Sequence, residues 1–218
     1  MYFWSMDDFD FNIDFFEDEA KSDPPEEITP EEKKKVRRRT TRCTELSLKY
    51  EYRRAFSETK LLDCNIEFKQ DHSYNFITSG DVDALSYLKL ILRHVKKIDY
   101  LLFSTWCMSA EDLHQLEIWL ENGTIKKLDA YLGEIFPSSY KIEWIQINEI
   151  FEKHKCGRIA VFRNHSKIFA GYSNDFYFGV QTSANINTNP RCENGCITIN
   201  KPIFDFYKSY FDGIESIK

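Results

Sequence analysis

Apolar residues recur along this chain with two different periods, and the changes between them set out its elements. Residues 45–67 carry Leu46, Leu48, Tyr50, Tyr52, Ala55 and Phe56 in a loose helical pattern. Residues 74–78 form a short β-rich run closed by Ser79-Gly80, which predicts a first strand. A helix follows from Asp81 and Asp83 to about Lys97, with Leu85, Leu88, Leu90 and Leu92 apolar. Acids at its start and Arg93, His94, Lys96 and Lys97 at its end complement the helix dipole. Residues 100–104 form a short, mostly apolar run, as strands buried on both faces do. Ser109, with Asp112 three residues on, caps a helix that runs to Asn122-Gly123. A third strand is expected over 127–132, ended by Gly133, and a helix over 138–155 with Ile142, Ile145, Ile147, Ile150 and Phe151 inward. Strand-like runs then crowd together at 158–162, 168–171, 176–182 and 196–200. Pro202 opens a last helix, 203–214, with Phe204, Tyr207, Tyr210 and Phe211 at helical spacing.

Strands alternating with helices of this length imply an α/β fold, a mixed, largely parallel sheet with helices on both faces. The expected organisation is a leader over 1–42, a helical lead-in over 43–69 and the α/β domain over 70–218. No internal repeat is visible.

Composition changes the picture mainly at the N-terminal end. The net charge of −6 conceals a leader whose residues 1–32 hold 12 acids and one base, with Phe9, Phe11, Phe15 and Phe16 among them. Residues 33–42 hold seven bases (Lys33, Lys34, Lys35, Arg37, Arg38, Arg39 and Arg42) and no acid. High charge and three prolines argue for a disordered acidic then basic segment, solvated or docking its aromatic face on a protein partner. The basic run is either a charged linker or an arm giving salt-sensitive, sequence-blind affinity for nucleic acid. No apolar run approaches the ~20 residues of a membrane span, and no secretory leader pattern precedes the acids. Six scattered cysteines suit reduced thiols in an intracellular, cytoplasmic protein better than a disulfide framework.

The candidate chemistry lies between residues 157 and 200. His165, Lys167, Ser183, Asn185, Asn187, Arg191 and Glu193 stand between and after apolar runs, where α/β enzymes keep their reactive groups. If His165 and Lys167 continue a strand, they point to the same face. An imidazole beside an ammonium suits a phosphate ester: one attacks phosphorus, the other holds the phosphoryl oxygens.

His165-Ser166-Lys167, followed by Thr182-Ser183-Ala184-Asn185 and then Glu193, resembles the phospholipase D superfamily, whose pattern is His-x-Lys, a downstream Asp and Gly-Ser-x-Asn. The chain departs from that pattern with Tyr172 at the Asp position, Asp175 three residues on, and Thr182 for Gly. The resemblance implies a phospholipase D-like fold and cofactor-free, metal-independent phosphodiester chemistry by two histidines. One would form a phosphohistidine and the other protonate the leaving oxygen. With a single His-x-Lys, both would come from a homodimer that places His165 of each chain in one cleft. The resemblance further implies that Lys167 and Asn185 bind phosphoryl oxygens, Ser183 more weakly, and that Glu193 fixes the imidazole tautomer. With Asn187, Arg191 and the basic arm Lys33, Lys34, Lys35, Arg37, Arg38 and Arg39 as further substrate contacts, the expectation is a nuclease acting on DNA or RNA, with no membrane partner. The alternative is a catalytically degenerate member with a nucleic-acid-binding or structural role.

Two other readings stay open or close at this point. His154, Cys156, Cys192 and Cys196 could supply four zinc ligands, although the spacing fits no common finger. No nucleophile-elbow, dinucleotide or Walker pattern occurs, so serine-hydrolase and nucleotide-cofactor classes are not indicated.

Overall fold

A computed structural model of the chain describes residues 58–188 and 190–217. The leader and most of the lead-in fall outside the described residues. Residues 58–62 are helical, so the helix ends well before Glu67. Its end docks on the domain: Leu61 is buried, Glu58 pairs with Lys89 at 2.7 Å, and Arg93 donates to the Leu62 carbonyl.

Twelve elements follow. They are β1 (His72–Thr78), α1 (Ala84–Val95), β2 (Tyr100–Thr105), α2 (Ala110–Glu121), β3 (Leu128–Gly133), α3 (Phe136–Ser139), α4 (Lys141–His154), β4 (Ile159–Phe162), β5 (Ile168–Ser173), β6 (Phe176–Thr182), β7 (Glu193–Ile199) and α5 (Lys201–Asp212). The cap foreseen at Ser109 forms, and Asp83, expected only as an acid at its helix start, is a cap as well. Asp83 accepts the Ser86 N–H, and the Ser109 hydroxyl accepts the Asp112 N–H while donating to its carboxylate.

The seven strands build one mixed sheet in the order β1-β7-β6-β5-β2-β3-β4. Only β2–β3 and β3–β4 are parallel; β5, β6, β7 and β1 join antiparallel. "Largely parallel" is therefore corrected to mixed. A parallel crossover needs a dozen or more residues, and the connections after β4 are mostly shorter. The turn from β5 to β6 is only Asn174-Asp175, with Asn174 at φ 49°.

Helices cover both faces. On one, α1, α2 and α4 bury the main core, including Leu85, Ile91, Leu113, Ile147, Phe103 and Phe169. On the other, α5 lays Phe204, Tyr207 and Phe211 against Tyr100, Leu102, Tyr131 and Ala170. Burying such side chains is worth about 1.5–3 kcal/mol each, the main force holding the layers together. In α4, Ile147, Ile150 and Phe151 face inward as expected, but Ile142 and Ile145 are 74% and 58% exposed. The helical pattern is broken at Tyr140, and from Lys141 onward these two isoleucines lie about half a turn from the buried stripe. Among the described residues no helix is long and apolar enough to cross a membrane.

Strand directions decide where polar side chains gather. The parallel strands β2, β3 and β4 all end at one edge of the sheet, at Thr105, Gly133 and Phe162. Because β5 runs against β2, it begins at that edge, with Ile168 opposite Ser104. By the same logic β6 ends there at Thr182 and β7 begins there at Glu193. The connection from β4 to β5 must pass over the ends of β3 and β2. That is about 14 Å at three strand spacings, which leaves residues 163–167 little slack.

Candidate active site

The site is built on that taut connection. Asn164 is buried, and its carboxamide is fully used: Nδ2 donates to Ser104 Oγ at 2.9 Å and to the Tyr131 carbonyl at 3.0 Å. Oδ1 accepts from the Ser166 N–H at 2.9 Å and the Ser166 hydroxyl at 2.7 Å. Ser104 and Ser166 meet at 2.6 Å, so strands β2 and β3 hold the loop on both sides of His165. A buried polar network with every member paired rigidifies its surroundings. Close packing adds to it: a Cβ at Gly133 would meet Trp106 at 2.7 Å and the Asn164 carbonyl at 3.0 Å.

His165 and Lys167 do come together, though not as strand neighbours. Neither lies in a strand; β5 starts one residue later. Instead the Lys167 side chain turns back, its Nζ 2.7 Å from the His165 carbonyl, 2.9 Å from Nδ1 and 3.4 Å from Nε2. His165 is exposed beside the Trp106 ring at 5.2 Å, whereas Lys167 is only 8% exposed. Burial pushes the Lys167 ammonium below the ordinary lysine range, while neighbouring Cys107 and Glu193 pull it back up. Displaced lysines of this kind cluster at functional sites.

Across the edge, residues 183–188 form the opposing loop. Glu193 accepts a short hydrogen bond from the Ser183 hydroxyl, which in turn accepts the Asn194 N–H at 3.0 Å. The backbone of this loop is pinned: Ala84 N–H donates to the Asn185 carbonyl, Ser109 N–H to the Ile186 carbonyl, and Thr188 Oγ1 to Asp83. The Asn185 side chain is not; its Oδ1 is shut off from solvent and has no hydrogen-bond partner among the described residues. Burial pushes the Cys107 thiol up, against hydrogen bonds from Tyr140 and Asn187 and the Lys167 charge. Lys167 thus bonds to His165 on its own loop and feels the charges of Cys107 and Glu193 across the edge.

Seen against the expectations, His165, Lys167, Ser183, Asn185, Asn187 and Glu193 all stand at one sheet edge. The ring nitrogens of His165 face Lys167, and the Glu193 carboxylate accepts from Ser183. Arg191 is exposed, and the basic arm lies outside the described residues. Tyr172 is a packing residue, its ring against Tyr100, Tyr177 and Phe204. Sequence reasoning missed Asn164, Trp106 and Cys107. Asn two residues before Ser166 is an Asx-turn signal, and Trp106-Cys107 directly follows a fully buried strand; both were available cues.

The zinc set suggested from sequence is not assembled. Among the described residues the ligating groups that converge are Glu117, Glu121 and His154, without a cysteine. Lys153 already pairs with both carboxylates, at 2.7 and 2.6 Å. Cys156 is buried, its thiol pushed up to about 11 by that burial, while Cys192 is exposed. All the described cysteines are free.

The fold and site define a mixed α/β protein with a shielded lysine and an exposed histidine joined at the sheet edge. No family model matches the chain, and no curated protein does. Among solved structures it is similar to the phosphatidylserine synthase of Haemophilus influenzae Rd KW20, at 15% identity and a TM-score of 0.47. That likeness covers 64% of this chain and 37% of the synthase. It is similar also to the polyphosphate kinase of Porphyromonas gingivalis, at 12% identity and a TM-score of 0.46, over 67% of this chain and 26% of the kinase.

Proposed function

We propose that the chain is a metal-independent phosphodiesterase acting on nucleic acid through a phosphohistidine. The observation that carries this reading is the buried Lys167 ammonium bonded to an exposed imidazole. Its recorded hydrogen-bond partners are a carbonyl and a ring. When a phosphodiester enters, the ammonium shifts its donation from the ring to a phosphoryl oxygen, where charge develops. The freed imidazole nitrogen attacks phosphorus, a P–N bond forms and the P–O bond to the leaving group breaks. The alkoxide takes its proton from His165 of a second chain. Water then displaces the histidine, giving its proton to that same second imidazole. Asn185, on the opposing loop, donates from its carboxamide Nδ2 to a phosphoryl oxygen, and Ser183 with Glu193 holds that loop. The run His165-Ser166-Lys167 with Thr182-Ser183-Ala184-Asn185, resembling the phospholipase D superfamily, supports the same chemistry. The basic run 33–42 favours nucleic acid over lipid.

A second reading has one observation of its own. Tyr172, at the position of the superfamily's Asp, is committed to aromatic packing, which favours an inert binding or structural protein. Cleavage of single- and double-stranded DNA and RNA in EDTA, with His165→Ala alongside, separates the two. EDTA-resistant cutting lost in the variant is expected; binding without cutting in the wild type would establish the inert reading.

A further inference from the structure

Beside His165 a groove of about 340 Å³ opens between residues 162–168 and α5. Arg163 and His165 stand on its first wall, Phe206 and Tyr210 on its second. While α5 buries Phe204, Tyr207 and Phe211, Phe206 and Tyr210 remain 64% and 58% exposed. Four residues apart, they share one helix face. Each is braced by a buried neighbour, Phe206 against Tyr207 and Tyr210 against Phe211, both edge to face with centroids 5.2 Å apart. Two large rings are thus presented to water next to the candidate nucleophile, contributing little to the core. Two exposed rings on one helix face, beside a reactive side chain and lining a groove, form a surface that a flat ligand can cover.

We infer that the groove receives an unpaired nucleobase flanking the scissile phosphate, so that the substrate is single-stranded nucleic acid. The inference rests on the phosphodiesterase reading of His165. Aromatic faces stack on any base, and a nearby cation holds the adjoining phosphate. Here Arg163 is exposed at the rim and makes no ion pair among the described residues, while Lys167 lies behind the imidazole. The first wall presents the exposed Arg163 cation and the His165 ring, which suit a nucleotide's phosphate and base better than an acyl chain. A duplex keeps its bases stacked and paired, so it offers no free face to these rings.

The test is fluorescence anisotropy on the full chain, in salt high enough to mute the basic run 33–42. The probes are a labelled oligothymidine, the same strand annealed to its complement, and phosphatidylglycerol vesicles. Phe206→Ala with Tyr210→Ala is expected to weaken single-strand binding about tenfold or more, while duplex binding stays within about twofold. Phe206→Trp with Tyr210→Trp should restore affinity, and the paired leucine variant should not, because stacking needs a π face. Equal losses on both nucleic acids, or none on the single strand, would overturn the inference. So would selective loss of vesicle binding, which would assign the groove to lipid. If the wild type cleaves through His165 yet the groove variants bind normally, only the groove assignment falls. A wild type that neither binds nor cleaves nucleic acid removes the phosphodiesterase reading first.

Discussion

Two asparagines stand on facing loops of the same sheet edge, and they are used in opposite ways. Asn164 spends its whole carboxamide on Ser104, Tyr131 and Ser166, tying the β4–β5 connection to the strands it crosses. Asn185 sits on a loop whose backbone is already pinned, and its side-chain oxygen has no partner among the described residues. One asparagine therefore holds the site and the other is available to it. A saturated amide fixes geometry, whereas a shielded amide oxygen without a donor is costly and leaves its side chain uncommitted.

Substitutions can break that contrast. The largest effect is expected at Lys167, which bonds to His165. Lys167→Met should lower cleavage about 10²–10³-fold, as loss of a donor to developing charge does. Burial also gives this lysine a pH signature. Its ammonium is lost at lower pH than a surface lysine's, so the alkaline fall in rate should begin below the ordinary value of ~10.4. The charged form is the one penalised in the folded state, and in that window the unfolded chain binds more protons. Wild-type stability relative to Lys167→Met should therefore rise with pH there, as denaturant titrations at several pH values would show.

Asn164→Ala comes next. It strands Ser104, the Tyr131 carbonyl and the Ser166 N–H, and should cost about 2–4 kcal/mol of stability in urea titrations. Activity should fall with it, because the taut loop loses its anchor. Asn164→Asp keeps the acceptor to Ser166 but loses both donors, and should fall between alanine and wild type. Asn185→Ala is the smallest perturbation to the fold, below about 1 kcal/mol, while weakening substrate affinity about tenfold. Equal stability losses at the two asparagines would erase the distinction between them.

Short-range signals were legible in the sequence and long-range pairings were not. Ser109 was recognised as a cap, and Asp83 as an acid opening its helix, because such signals act within a few residues. A mixed sheet was expected, but its antiparallel share was underestimated, because β5 finds its partner in β2, far back in the chain. His165 and Lys167 were paired correctly but by the wrong geometry: a lysine stem folding back replaces a shared strand face. Asn164 reads locally as a turn residue. What sets it apart is Ser104, 60 residues away, and Tyr131, 33 away.

The central claim is a covalent bond between His165 and phosphorus. Single-turnover reactions with a labelled oligonucleotide, quenched in alkaline denaturant to preserve phosphohistidine, can be digested and analysed by mass spectrometry. A nucleotide adduct on the peptide containing His165, absent from Lys167→Met and His165→Ala, is the expected result. Undiminished cleavage by His165→Ala, with no adduct on the wild type, would contradict the account.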